Sequence, residues 1–445
     1  MVSGPNKKHK ILILSNSHPY KTAGIVALDL LNGLKKIEGN EVKLIVNVYD
    51  NFPDKDVISL HTKLPYLKKV IIRKIRNKLI KFGLLKSKLN NTNRKYIIQD
   101  YDQTKTYYST ERILKKATFI PDVVIVIFMQ TFLSYKNLYE IHNTTGAKIF
   151  LYPMDMAPFT GGCHYAWDCK GYFKKCGHCP AYYSNMENDQ SRENWLFNKE
   201  YSSKTNIEII AGTEWIYKQI KQSSLFSDKP IRKILLPIDE NVFKPGDKIV
   251  ARRYFNLPNN KKIIFFGAVS VNSKRKGFKE LTKALAKLKS ILNEKENKNI
   301  HLMIAGNCDP DFENSLNIDH TILGYLNHTK LVRAYQAATV FVSPSIEDSG
   351  PMMINQAIMC GLPVVAFEMG VALDIVITGK TGYRAKLKDS EDLANGIKYI
   401  LELDDHEYDE MSENCRNLAL KLLHPKKQGE RFIEIIEANK LKAQK

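Results

Sequence analysis

The chain has 445 residues, 44% of them apolar, with 67 lysines and arginines against 47 acids and a formal net charge of +20. That length exceeds what one ordinary hydrophobic core fills and predicts two domains of roughly 200 residues each. The opening MVSGPNKKHK lacks the apolar stretch of a secretory signal, and no apolar run approaches a membrane span, so the expectation is a cytoplasmic protein with reduced thiols.

In chain order, the first strand-like run is KILILS (10–15), followed by SNSHPYKTAGIVALDLL, in which Gly24 opens a helical pattern. A single glycine after a strand serves equally as a turn or as a close backbone approach to a phosphate. After EVKLIVNV (41–48) the chain runs from Asp56 to Asp100 without an intervening acid. Within it residues 63–95 are strongly basic, and Ile71, Ile75, Leu79 and Phe82 recur at helical spacing among lysines and arginines. Such a helix lies on an anionic membrane surface, apolar side down, or else packs with a solvated basic face. Because the positive charge is gathered in this amphipathic form, the basic balance does not imply a nucleic-acid partner.

DVVIVIF (122–128) and AKIFLY (147–152) lead into DMAPFTGGCHYAWDCKGYFKKCGHCP, where Cys163, Cys169, Cys176 and Cys179 crowd together in a chain with three other cysteines. Under reducing conditions four such thiolates suit a structural zinc site better than disulfides. The Cys176/Cys179 pair has zinc-knuckle spacing, whereas Cys163 and Cys169 are more widely separated. An iron cluster, a transient disulfide and unligated thiols are the alternatives, with His164 and His178 as spare ligands.

IEIIAG (207–212) closes the first half, and the turn-rich KILLPIDENVFKPGDK (233–248) separates it from KIIFFG (262–267), HLMIAG (301–306), TVFVSPS (339–345) and LPVVAF (362–367). Short β-branched runs alternating with helical patterns predict an α/β fold of two doubly wound Rossmann-like domains facing a cleft. The domains would span 1–235 and 249–425, joined by a linker at 236–248, with a terminal helix at 426–445 able to pack back on the first. In such sheets ligands sit beyond the carboxyl ends of the strands. After TVFVSPS come Glu347, Gly350 and Pro351, then a helix from Met352, a combination of free amides and helix dipole that suits a diphosphate. Asp348, in the same loop, reads as solvated.

The PSxxE, glycine and CGLPVVAF pattern resembles family 4 of the GT-B glycosyltransferases. FFGAVSVNSKRKGFKELTKAL (265–285), LGYLNHTKLVRAYQAATVFVSPS (323–345) and ITGKTGYRA (377–385) fall in that family's order. The DM-F-TGGCHY and cysteine-rich stretch is similar to an insert in a bacterial branch concerned with surface polysaccharide or lipopolysaccharide. The resemblance implies a retaining transferase that moves a hexose from a nucleotide-sugar to a glycan or lipid-linked acceptor without a catalytic metal. It also implies Glu347 and Asp155 as catalytic residues, and Gly24, Lys276, Gly277, Gly350, Pro351, Met352, Met353 and Asn355, with Glu347, as donor-binding ones. Two Asp-x-Asp pairs, Asp100/Asp102 and Asp309/Asp311, lie outside the strand-end loops and read as chance. The sequence departs from the family at Ala268, where a phosphate-binding arginine is usual, at Asn355, where a glutamate is usual, and at Met154, where a histidine is usual. A family member that binds nucleotide-sugars without transfer, an epimerase on the same fold and a basic zinc protein are the other readings.

Overall fold

The computed structural model describes residues 9–82, 84–85, 92–270, 273–308, 313 and 316–443. The chain divides into two compact units, one of residues 1–212, 216–234 and 428–445, the other of residues 213–215 and 235–427.

The first unit holds a seven-stranded sheet of β1 (Lys10–Ser15), β2 (Glu41–Val46), β3 (Val57–Ser59), β4 (Val123–Val126), β5 (Lys148–Leu151), β6 (Ile207–Ala211) and β7 (Ile231–Lys233). Its spatial order is β3-β2-β1-β4-β5-β6-β7, and every pairing is parallel. The second unit holds β8 (Lys262–Ser270), β9 (Ile300–Asn307), β10 (His320–Ile322), β11 (Val340–Ser343), β12 (Val364–Phe367) and β13 (Gly382–Ala385), in the order β10-β9-β8-β11-β12-β13, again all parallel.

Parallel strands are covered on both faces, which is why the central ones read as unbroken apolar runs. Ile11 to Leu14 in β1 and Val123 to Val126 in β4 are wholly buried. The strand order reverses between β1 and β4 in one sheet and between β8 and β11 in the other, the switch points where doubly wound sheets take their ligands. The loops after β1, β8 and β11 carry Gly24, Lys276 and Glu347.

The second core gathers Phe243, Phe265 and Phe341 around Tyr335, three of the ring pairs edge to face and Phe265–Phe341 tilted. In the first, the helix Pro425–Ala443 brings Phe432 against Phe150 and Tyr152. Gly429 approaches Gly33 so closely that a Cβ there would stand 2.8 Å from the Gly33 carbonyl. Among the described residues no helix is long and apolar enough to cross a membrane.

The basic segment forms the helix Lys63–Lys81, in which no residue is buried; residues 83 and 86–91 lie outside the described part of the chain.

Candidate functional site

In the second unit the turn after β8 folds onto the end of β11. Residues Lys274–Lys276 make one 3-10 turn closed by Gly277 at φ 70°, and a Cβ at Gly277 would lie 1.6 Å from the Pro344 carbonyl oxygen. Only glycine fits there. The Arg275 carbonyl accepts the amides of Ile346 (2.8 Å) and Glu347 (3.3 Å), so the cationic turn and the glutamate loop are stitched together backbone to backbone.

Both cations then turn toward one carboxylate. Arg275 Nη1 and Lys276 Nζ donate to Asp348 Oδ2 at 2.7 and 2.6 Å, while Asp348 Oδ1 accepts the Gly350 amide at 3.2 Å. Asp348 is 3% exposed, which overturns its reading as a solvated loop acid. Burial alone would raise its pKa, but Lys276 and Arg275 hold the carboxyl below its usual range. Burial pushes the Lys276 ammonium down from its ordinary value, against the pull of Asp348. A charge expected from the sequence thus has a counter-charge that was not expected. The signal lay in the adjacent Arg275 and Lys276, since two cations converging on a packed turn need an acid beside them.

The rest of the loop leads into the helix Met352–Met359, with Pro351 at its N-cap. Glu347 is half-buried, and Gly350 lies against Thr213, whose hydroxyl donates to the Ser349 carbonyl at 2.7 Å. Gly267, one residue before Ala268, leaves room for Met353, whose Cε would sit 2.5 Å from a Cβ there. Asn355 is 1% exposed, and its side-chain oxygen has no hydrogen-bond partner among the described residues. An uncharged amide here lies in the helix interior, a setting that would penalise the carboxylate usual in the family.

In the first unit the turn after β1 is equally tight: a Cβ on Gly24 would stand 2.2 Å from the His18 carbonyl oxygen. Beyond β5, Asp155 Oδ2 lies 2.8 Å from His164 Nδ1 and Asp155 Oδ1 accepts the Ala157 amide at 2.9 Å. The backbone supports the pair, because His164 N donates to Tyr96 and Ile97 and its carbonyl accepts the Met156 amide. The glycines of TGGCHY permit this return. Gly161 is pressed against Ser191, where a Cβ would be 2.5 Å from the carbonyl oxygen, and Gly162 has φ 119°. His164 is buried, and its Nε2 has no partner among the described residues. Expected as a spare metal ligand, this ring instead stands beside Asp155, whose preceding residue, Met154, lacks an imidazole.

The four clustered cysteines line one small cavity of about 20 Å³, together with Tyr172 and Tyr182. The expected zinc shell gains no support, for among the described residues no group of three or more His, Cys, Asp or Glu is placed to hold a metal ion. Both histidines are engaged elsewhere, His164 with Asp155 and His178 with the Asn185 carbonyl. The sulfurs meet local donors: Cys169 the Gly171 amide, Cys176 that of Gly161, and Cys179 those of Ala181 and Tyr182. Burial pushes the Cys163 and Cys179 thiols up and Cys176 to about 12. Of the Asp-x-Asp pairs, Asp100 accepts Tyr107 and Thr131, and Asp102 accepts Thr104. Asp309 and Asp311 lie outside the described residues.

Residues 247–418 match the family model described as glycosyl transferases group 1. A stretch of 177 residues is 30% identical to the D-inositol 3-phosphate glycosyltransferase of Mycolicibacterium smegmatis, covering 37% of this chain and 38% of that relative. The chain therefore spans under two fifths of the length of that relative. Over 98% of its length the fold matches sucrose-phosphate synthase from Thermosynechococcus elongatus, all of which is covered, at TM-score 0.64 and 17% identity. Over 97% it matches Anabaena HepE in complex with UDP-glucose, again fully covered, at TM-score 0.59 and 15% identity. Residues 247–418 are thus similar to the glycosyl transferases group 1 model, in a chain whose two parallel sheets share the GT-B fold of these solved structures.

Proposed function

We propose that the protein is a retaining glycosyltransferase that moves a sugar from a nucleoside diphosphate to a hydroxyl of a glycan or lipid-linked acceptor in surface-polysaccharide or lipopolysaccharide assembly. The observation that carries this is the Arg275–Lys276–Asp348 cluster beneath Glu347 at the β8/β11 switch point. Two cations share one acid, held in place before any ligand arrives, and the amides of Gly350, Met352 and Met353 would add to them. Pre-positioned charge of this kind stabilises a departing diphosphate as the bond to the anomeric carbon breaks. Glu347 would hold hydroxyls of the transferred sugar. The acceptor oxygen would attack from the face the diphosphate leaves, its proton passing to the leaving phosphate oxygen, an arrangement that retains configuration. In the first unit, the buried His164 ring would orient Asp155, whose carboxylate would meet a sugar hydroxyl.

The UDP-glucose complex of the Anabaena neighbour makes UDP-sugars the first donors to try. Calorimetric titration with UDP-, GDP- and ADP-sugars, followed by transfer assays with those that bind, tests the reading. Binding of one nucleotide class, lost in Lys276→Ala, is the expected result; no binding of any nucleoside diphosphate would sink the proposal. Tight binding with no transfer to any acceptor would favour a sugar-nucleotide-binding relative without catalysis.

A further inference from the structure

We propose that the helix Lys63–Lys81 is a docking surface for an anionic lipid bilayer. A helix of a folded protein normally buries one face against the body, and its stability comes from that burial. This one buries none of its 19 residues, yet Leu64, Leu67, Ile71, Ile72, Ile75 and the following Phe82 are each 44–79% exposed. At 3.6 residues per turn, Leu64, Leu67, Ile71, Ile75 and Phe82 fall within an arc of about 80°. The helix thus has the apolar stripe of a packed element with no described residue covering it.

The charge around the stripe selects the occupant. The helix carries eight lysines and arginines and no acid. A second protein with an apolar groove would satisfy the stripe but not eight cations. A nucleic acid would satisfy the cations but leave five large apolar side chains in water. A bilayer with anionic headgroups meets both, taking the stripe to the acyl boundary and the cations at the headgroups. Lys68 and Lys78 share the apolar face, and their long stems let the ammonium groups rise from it to the phosphates.

The root of the helix is tied to the first unit. Lys69 Nζ donates to the Tyr108 hydroxyl at 2.6 Å, and the Tyr66 ring packs 5.5 Å from His61 and 6.1 Å from Tyr49. The first two turns are therefore fixed and the later ones project the stripe. This inference stands apart from the reading of the donor site.

Flotation of the full chain with vesicles of phosphatidylcholine, alone or mixed with phosphatidylglycerol, tests it. Binding at least tenfold stronger to the mixed vesicles, and weakening as salt rises, is expected. Arg73→Gln/Lys74→Gln/Arg76→Gln should lose about a hundredfold of it, since each cation near such a surface changes the partition about fivefold. Ile71→Ser/Ile75→Ser, which leaves the charge intact, should lose at least tenfold. None of these side chains is buried, so both variants should keep the parent melting temperature. Equal binding to neutral and anionic vesicles, or undiminished binding by the isoleucine variant, would overturn the proposal. So would displacement of the protein from vesicles by single-stranded RNA with the isoleucine variant binding that RNA as well as the parent, which would make the helix a polyanion site instead.

Discussion

Asp155 Oδ2 lies 2.8 Å from His164 Nδ1, and the opposite ring nitrogen is buried with no hydrogen-bond partner among the described residues. A carboxylate at Nδ1 fixes both the tautomer and the tilt of an imidazole. If Asp155 meets a sugar hydroxyl and His164 holds it there, His164→Ala should lower kcat/KM by about 10- to 100-fold, the scale of one hydrogen bond to a charged group. Asp155→Asn should cost a similar factor, and the double variant scarcely more than either alone, because the two act as one unit. Strictly additive losses in that cycle would show the residues working separately.

Removing Asp348 should act in opposite directions on stability and on ligand binding. Asp348→Asn removes the carboxylate that Arg275 and Lys276 share, at a cost of about 3 kcal/mol once their one-fifth exposure is allowed for. A bound diphosphate would replace the missing acid. The variant should therefore melt lower than the parent but gain a larger upward shift in Tm from UDP. An equal or smaller shift would show that the cations do not face the nucleotide.

Glu347 and Lys276 are separable by what each would touch. Glu347→Gln should reduce transfer about 10- to 100-fold with little change in affinity for bare UDP, which lacks the sugar hydroxyls. Lys276→Ala should weaken both, by roughly 2–4 kcal/mol in transfer. Unchanged transfer in Glu347→Gln would remove that residue from the donor site.

The acid sensitivity of the first unit should trace to His61. Burial, helped by the positive charges of Lys69 and Arg112, pushes its pKa from 6.5 to about 4, and its Nε2 lies 2.9 Å from Asn47 Oδ1. Between those two values the unfolded chain binds the proton that the folded ring refuses, so stability falls as pH drops through that window. The loss is roughly 3 kcal/mol at most. Urea denaturation across the same range should show the slope in the parent and a flatter profile in His61→Asn; identical slopes would assign the titration elsewhere.

Gly277→Ala should be among the costliest single methyl additions in the chain. A left-handed residue with a Cβ costs about 1–2 kcal/mol by itself, and here the new carbon would also collide with the Pro344 carbonyl. Because Lys276 precedes it, UDP affinity should fall with stability. A variant with parent-like Tm and UDP binding would mean that the turn accommodates a side chain.

The central strands were legible because burial on both faces leaves little but β-branched and aromatic residues: KILILS, DVVIVIF and KIIFFG each coincide with a core strand to within a few residues. β3, β7, β10 and β13 were not, since three or four residues at a sheet edge show neither a run nor a period. The loop after β11 was legible through the succession Glu347, Gly350, Pro351. The burial of Asp348 was not, as nothing local distinguishes a solvated acid from one facing cations 72 and 73 residues earlier. His164 was hidden by its company, because a histidine among four cysteines reads as a ligand until the chain is seen to double back to Asp155.

Phe432 follows Phe150 by some 280 residues, yet it packs against Phe150 and Tyr152. A ribosome adding about 5–20 residues per second needs roughly 15–55 s to travel that distance. Through that interval the nascent first sheet has emerged without the ring that covers β5, and the second unit is completed before it arrives. The part of the protein made first is therefore the last to close, and during synthesis its aromatic seam is a place where a chaperone has reason to wait.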